Sequence, residues 1–326
     1  MSASRPWSVT VFSERVIALL APGQGSQTPG MLSPWLELDG AAERLAAWSE
    51  ATGLDLVRLG TTADAEEIKD TAVTQPLVVA SALLAFEELS RRAPLPVDLP
   101  VAGHSVGELA AAAMAGVLTT DDAVALAAVR GREMAAACAL EPTGMAAVMV
   151  LRGDEDAVVA RLAELGLVPA NRNGAGQIVA AGPTAALEAL AATPPEGTKV
   201  VALKVAGAFH THYMAPAETA MRERAASVRV ADATRPLLSN ADGGVVTEGV
   251  EVLRRLVDQV TRPVRWDLCM AALAERGVTA TVELTPAKAL TGLVKRAIRG
   301  TTTVTVNSPA DLDRVVELLA AEGAAA

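Results

Sequence analysis

The period of hydrophobic and polar positions changes along this chain, and the changes mark its elements. Val16 to Leu20 is a short β-branched and leucine run ending at Pro22-Gly23, the pattern of a buried strand. Helical spacing follows over Ala41 to Thr52, Glu66 to Lys69, Gln75 to Arg92 and Asp121 to Ala139, while Pro94 to Pro100 reads as a connection into the apolar pair Val101-Ala102. Helices alternating with short apolar strands predict an α/β fold. From about Pro142 the order becomes strand Met145 to Val150, helix Glu155 to Leu165, strands near Val168 to Asn171 and Gln177 to Ala181, helix Thr184 to Ala192 and strand Lys199 to Leu203. The chain then returns to helix Ala215 to Ala226, strand Leu237 to Ser239, helix Val252 to Val260 and a further αβα stretch.

At 326 residues and 51% hydrophobic content the chain can bury a sizeable core, as one large domain or two smaller ones. Only 2% of residues are aromatic, so the core is expected to pack helices on sheet through small side chains. The formal charge of −10 argues against a nucleic acid or an anionic membrane as partner. Met1 to Glu14 lacks the apolar region of a signal peptide, and a cytoplasmic monomer is expected. In that reducing setting Cys138 and Cys269 read as buried free thiols.

Candidate chemistry enters at Gly103-His104-Ser105-Val106-Gly107-Glu108, directly after the apolar Val101-Ala102 and before the helix-prone run Glu108 to Ala115. A strand turning sharply into a helix needs residues without Cβ on both sides of the turning serine. Such a nucleophile elbow lifts Oγ above the sheet and aims the first helical N–H groups at the same point. The bland alternative is a tight turn whose glycines only permit close packing. With the elbow, the pattern predicts an α/β fold with a large α/β-hydrolase-like core, 15–141 and 209–326. The β-α-β-β-α-β order within 142–208 predicts an inserted small ferredoxin-like subdomain, and 1–14 reads as a loosely held N-terminal extension.

A serine needs a base at neutral pH, and the chain has three histidines: His104, His210 and His212. His104 precedes the nucleophile, where side chains tend to point away from it, so it reads as a wall of the pocket. His210 and His212 both remain, since a loop can separate residues two apart. An H-x-H zinc site is disfavoured because no third ligand has an obvious spacing, and no metal or redox cofactor is implied.

Together the motifs resemble the malonyl-CoA:acyl carrier protein transacylases and the acyltransferase domains of polyketide synthases. The pieces are Pro22-Gly23-Gln24-Gly25-Ser26-Gln27, Thr74-Gln75-Pro76, the elbow, Arg130, Asn171-Arg172-Asn173 with Gly176-Gln177, Gly207-Ala208-Phe209-His210, and Gln259 ahead of Arg262-Pro263-Val264-Arg265-Trp266. The resemblance implies that His210 rather than His212 is the base, and that the backbone carbonyl near Gln259 orients it. It assigns the second oxyanion donor to Gln24, beside the Val106 N–H expected from the elbow itself. It also implies that Arg130 holds the malonyl carboxylate. An unpaired cation in the mostly apolar run Ala123 to Ala139 wants such a partner. Phe209 is expected to crowd the malonyl C2 carbon, and Asn173 to add a polar group to the pocket. The implied partners are malonyl-CoA with CoA and an acyl carrier protein serving fatty acid or polyketide synthesis. Glu108 and Trp266 read as structural.

The segment Glu283-Leu284-Thr285-Pro286-Ala287-Lys288 departs from the family's Gly-Pro-Gly turn. A serine thioesterase would share the elbow and the histidine but is disfavoured by Arg130, Gln24 and the want of a third acid. A carrier-docking module without chemistry fits an intact Ser105 and His210 poorly. The basic residues Lys288, Lys295, Arg296 and Arg299 are expected along one helix, a possible landing stripe for an acidic carrier protein.

Overall fold

The computed structural model describes residues 16–205 and 207–323, so the expected extension 1–14 lies outside the described residues. In chain order the strands are β1 (Val16–Ala21), β2 (Val101–Gly103), β3 (Thr143–Val150), β4 (Val168–Gly174), β5 (Gln177–Pro183), β6 (Thr198–Ala202), β7 (Leu237–Leu238), β8 (Val278–Glu283) and β9 (Thr302–Thr305). The helices are α1 (Ala41–Thr52), α2 (Leu56–Thr61), α3 (Thr71–Arg92), α4 (Gly107–Met114), α5 (Thr120–Cys138), α6 (Glu155–Glu164), α7 (Thr184–Ala192), α8 (Ala215–Ala225), α9 (Gly249–Asp258), α10 (Trp266–Glu275), α11 (Ala289–Ala297) and α12 (Asp311–Gly323).

The run VIALLA makes β1 apolar throughout and buried after its first residue, as a central parallel strand requires. It lies at the middle of a parallel sheet of order β7-β2-β1-β8-β9. The chain leaves β1 for β2 on one side and later fills β8 and β9 on the other. That reversal is where ligands lie in open α/β sheets, beyond the carboxyl ends of the strands. The register Ala21↔Gly103 ends β1 and β2 level, so the loop after β1 emerges beside the elbow after β2.

The second sheet is antiparallel, of order β4-β5-β3-β6, with α6 and α7 between its strands in sequence. Its β4 edge is tied to the segment between α9 and α10: the Arg172 N–H donates to Val264 O and the Val264 N–H donates to Ala170 O, both at 2.9 Å.

Several boundaries differ from expectation for identifiable reasons. Helix α3 begins at Thr71, before the expected Gln75, because Asp70 caps it by accepting from the Ala72 N–H at 2.8 Å. Only a 3₁₀ turn, Glu67–Lys69, stands where Glu66 to Lys69 was read as a helix. Helix α2 was not anticipated, being too short for a hydrophobic period and marked chiefly by its Asp55 cap. Strand β9 escaped notice because it starts in the polar run Thr301-Thr302-Thr303. By length and composition α3 could cross a membrane, but 78% of its apolar window is buried within the protein, which makes it the core helix of the larger sheet layer.

Candidate active site

Ser105 stands at the junction of β2 and α4 with φ of 55°, a left-handed conformation that costs a non-glycine residue about 1–3 kcal/mol. The flanking glycines are a steric necessity. A Cβ at Gly103 would fall 2.0 Å from Gly107 O, and one at Gly107 would fall 2.4 Å from Ala21 O. Gly23 meets the elbow in the same way, since its Cβ would lie 2.6 Å from His104 O.

His210 reaches Ser105 from the loop between β6 and α8, its Nε2 2.7 Å from Oγ. It too is left-handed, with φ of 60°. Its Nδ1 lies 2.8 Å from Gln259 O, the carbonyl of the residue that ends α9. A carbonyl only accepts, so Nδ1 carries the ring proton and Nε2 presents its lone pair to the serine hydroxyl. Burial, then the nearby Arg130 charge, push the imidazole down to about 3, so it is neutral in the empty site. His212, by contrast, is exposed and stacks on Tyr213 with ring centroids 4.2 Å apart. The two rings do not converge. Among the described residues no three His, Cys, Asp or Glu side chains group as a metal would require.

Arg130 is 2% exposed and projects from α5. Helix α5 approaches α3 closely at Gly131, where a Cβ would lie 2.6 Å from Thr71 O. The guanidinium donates from Nη1 to Gln75 Oε1 at 2.6 Å, and from Nη2 to Gln259 Oε1 at 3.1 Å and Ser105 Oγ at 3.3 Å. Its Nε is buried without a partner, and no carboxylate is bonded to it among the described residues. Burial lowers it to about 10, opposed by the Glu108 charge. A cation at that value remains protonated at neutral pH.

The cleft around these groups measures about 450 Å³. The Val106 N–H, at the start of α4, and the Gln24 N–H, after β1, have no acceptor among the described residues, and Gln24 lines the cleft while its side-chain Nε2 donates to Thr71 Oγ1 at 3.1 Å. His104 Nε2 lies 2.8 Å from Asn173 Oδ1, and Asn173 Nδ2 donates to Gln177 Oε1 at 2.9 Å, so both residues form a braced wall. Phe209 lines the cleft beside Met134 and Met145.

Ser105, His210, Gln24, Val106, Arg130, Asn173, Phe209, His104 and Gln259 thus gather around one cleft, and His212 does not. Sequence reasoning missed Asn240, whose Oδ1 accepts from the Ser105 N–H at 2.8 Å and whose Nδ2 donates to Gly103 O at 2.8 Å. Its position just beyond β7, at a carboxyl edge of the parallel sheet, was the available signal. Gln75, within Thr74-Gln75-Pro76, braces Arg130.

A family model described as acyl transferase domain matches residues 19–323. The chain belongs to the acyl transferase family. This acyl transferase is 62% identical over 304 residues to the malonyl CoA-acyl carrier protein transacylase of Mycobacterium tuberculosis H37Rv, covering 93% of this chain and all of that protein. The crystal structure of MCAT from Mycobacterium tuberculosis has a TM-score of 0.89 at 60% identity, covering 93% of this chain and 100% of the other. A malonyl-transacylase solved in complex with a holo type II PKS acyl-carrier protein has a TM-score of 0.86 at 29% identity, over 93% of this acyl transferase and 99% of that chain.

Proposed function

We propose that this acyl transferase moves a malonyl group from malonyl-CoA to the phosphopantetheine thiol of an acyl carrier protein through a malonyl-Ser105 ester. The observation that carries the reading is a buried arginine to which no carboxylate is bonded among the described residues, its guanidinium 3.3 Å from the serine oxygen. A malonyl thioester supplies the missing carboxylate, which a planar guanidinium holds bidentately.

His210 takes the Ser105 proton as Oγ attacks the thioester carbonyl, and returns it to the departing CoA sulfur. The tetrahedral oxyanion is received by the Val106 and Gln24 N–H groups. In the second half the carrier thiol gives its proton to His210 and attacks the ester, and Ser105 leaves with that proton. The carboxylate does more than anchor the acyl group. Burial is the main cause that holds His210 low and the Arg130 charge the second; paired with Arg130, the carboxylate offsets that second part, so the substrate's own charge makes the imidazole a better base. The test is intact-mass detection of a malonyl adduct on Ser105, followed by its transfer to a holo carrier protein. Hydrolysis without transfer would establish a thioesterase instead. A trans-acting role beside a polyketide synthase has support in the structural likeness to a transacylase bound to a PKS carrier, and competing carriers of both kinds in one assay separates it from fatty acid supply.

The architecture supports the division into a large α/β-hydrolase-like unit, 15–141 and 209–326, and a small ferredoxin-like unit, 142–208. The elbow follows a parallel strand, and the strand order β6-β3-β5-β4 is that of a closed β-α-β-β-α-β unit. The chain is read as a cytoplasmic monomer, in keeping with its free Cys138 and Cys269.

Phe209 is 7% exposed and closes the cleft near Ser105, so Phe209→Ser is expected to raise turnover of methylmalonyl-CoA relative to malonyl-CoA. An unchanged ratio of kcat/KM would remove Phe209 from specificity. The carrier protein is expected at the mouth where Arg296 lines the cleft. Helix α11 spans only Ala289–Ala297, so Lys288 precedes it and Arg299 follows it, and the expected single-helix stripe becomes a cluster of exposed Lys295, Arg296 and Arg299. Charge reversal at Lys295 and Arg299 should raise the KM for carrier protein, less so at high salt, and spare self-malonylation. Equal slowing of both half-reactions would place docking elsewhere.

A further inference from the structure

The proposed reaction gives Glu108 no part, yet its side chain occupies a consequential place. It is 4% exposed in the first turn of α4 and faces two donors. Oε1 accepts from the Asn240 N–H at 3.0 Å, and Oε2 accepts from Gln259 Nε2. That second bond holds the Gln259 amide one way round. Nε2 also points at Ser105 O and Asn240 Oδ1, each at 3.2 Å, while Oε1 is left for Arg130 Nη2 at 3.1 Å. An amide thus stands between a buried anion and a buried cation, its donor end on one and its acceptor end on the other. The main-chain carbonyl of the same residue holds His210, and that bond does not depend on which way the side-chain amide lies.

We propose that Glu108 is a positioning residue for malonyl transfer: its carboxylate fixes the orientation of the Gln259 amide and, through it, the guanidinium that receives the substrate's carboxylate. This rests on the malonyl-transfer reading above. The groups acting on Glu108 are the Arg255 charge from α9, the Arg130 charge from α5, the Cys269 thiol from α10, the Ser239 hydroxyl and the two donors already named. Arg255 is itself engaged by Glu251 and Asp242. Burial outweighs the bonds and charges that favour ionisation and raises Glu108 to about 7. Once protonated, the carboxyl offers fewer lone pairs to its donors, and an O–H turned toward Gln259 Nε2 sets donor against donor. Turning the Gln259 amide over relieves that conflict but brings Nε2 against Arg130 Nη2, donor against donor. Arg130 then loses its brace, and only an acyl group with a carboxylate feels the loss.

The experiment follows the rate of Ser105 acylation by malonyl-CoA and by acetyl-CoA, as the ratio of their kcat/KM between about pH 5 and about pH 9. Titration of the CoA phosphates is common to both substrates and cancels in the ratio. In the wild-type enzyme the ratio should fall at least ~10-fold as pH drops through Glu108's ionisation. Glu108→Gln should raise the KM for malonyl-CoA at least ~10-fold, change acetyl kinetics by less than about twofold and give a ratio flat with pH. A flat ratio in the wild-type enzyme overturns the proposal even if the variant does not fold, and so do equal losses for both acyl groups in a folded variant. Arg130→Ala separates the two readings. If it leaves a malonyl preference intact, the malonyl-transfer reading is wrong. If it removes the preference while the wild-type ratio stays flat with pH, only the role of Glu108 is wrong.

Discussion

Ser105→Ala is expected to abolish both the covalent malonyl adduct and transfer to carrier protein, because no other group replaces the Oγ that stands 2.7 Å from His210 Nε2. His210→Ala should slow acylation by ~10² to 10⁴ fold, the usual contribution of a positioned base. His212→Ala should have only a small effect, its ring being exposed and stacked on Tyr213. Single-turnover acylation followed by intact mass reads all three variants. The asymmetry between the histidines is the test, and comparable losses at both would remove His210 from its role. The acid limb offers a second check. Burial and the Arg130 charge hold His210 low, at about 3, in the empty site, so the acid limb of kcat/KM is expected to show no break from this ring near neutral pH.

Arg130→Ala should cost malonyl transfer at least ~10-fold while costing acetyl transfer far less, since charge-assisted hydrogen bonds contribute roughly 1.5–3 kcal/mol. The loss should fall mainly on KM for malonyl-CoA and partly on the acylation rate, because removing the guanidinium also removes a donor to Ser105 Oγ. The same substitution strips Gln75 Oε1 and Gln259 Oε1 of a partner. Arg130→Lys therefore belongs beside it: a lysine keeps the charge but cannot brace both glutamines and grip a carboxylate in a plane. Malonyl selectivity should be only partly recovered in the lysine variant. Equal losses for malonyl and acetyl groups in Arg130→Ala would make Arg130 structural.

Much of this was legible in the sequence because some residues have local requirements. Gly103 and Gly107 announce the elbow, since a side chain at either would collide with backbone. The alternation of helix and strand fixed the fold class and the order of the small sheet's elements. What escaped is held by contacts distant along the chain. Asn240 lies 135 positions from the Ser105 amide it accepts from, and Gln259 lies 129 positions from Arg130. Asn240 carries no local pattern, and the motif holding Gln259 pointed to its carbonyl but not to its side chain on Arg130. Glu108 was read as structural, and only the folded chain brings its carboxylate onto the Gln259 amide that faces Arg130. The choice between His210 and His212 was likewise open to spacing alone and is separated by burial.

Ser105 and His210 share a backbone habit that glycine would adopt freely and they do not. Their neighbours hold them there, and the fold gives up some of its resistance to heat to do so. Glycine at either position would relieve that backbone cost, so a gain in thermal endurance from Ser105→Gly or His210→Gly should come together with the loss of the hydroxyl or the imidazole that the proposed acyl transfer uses.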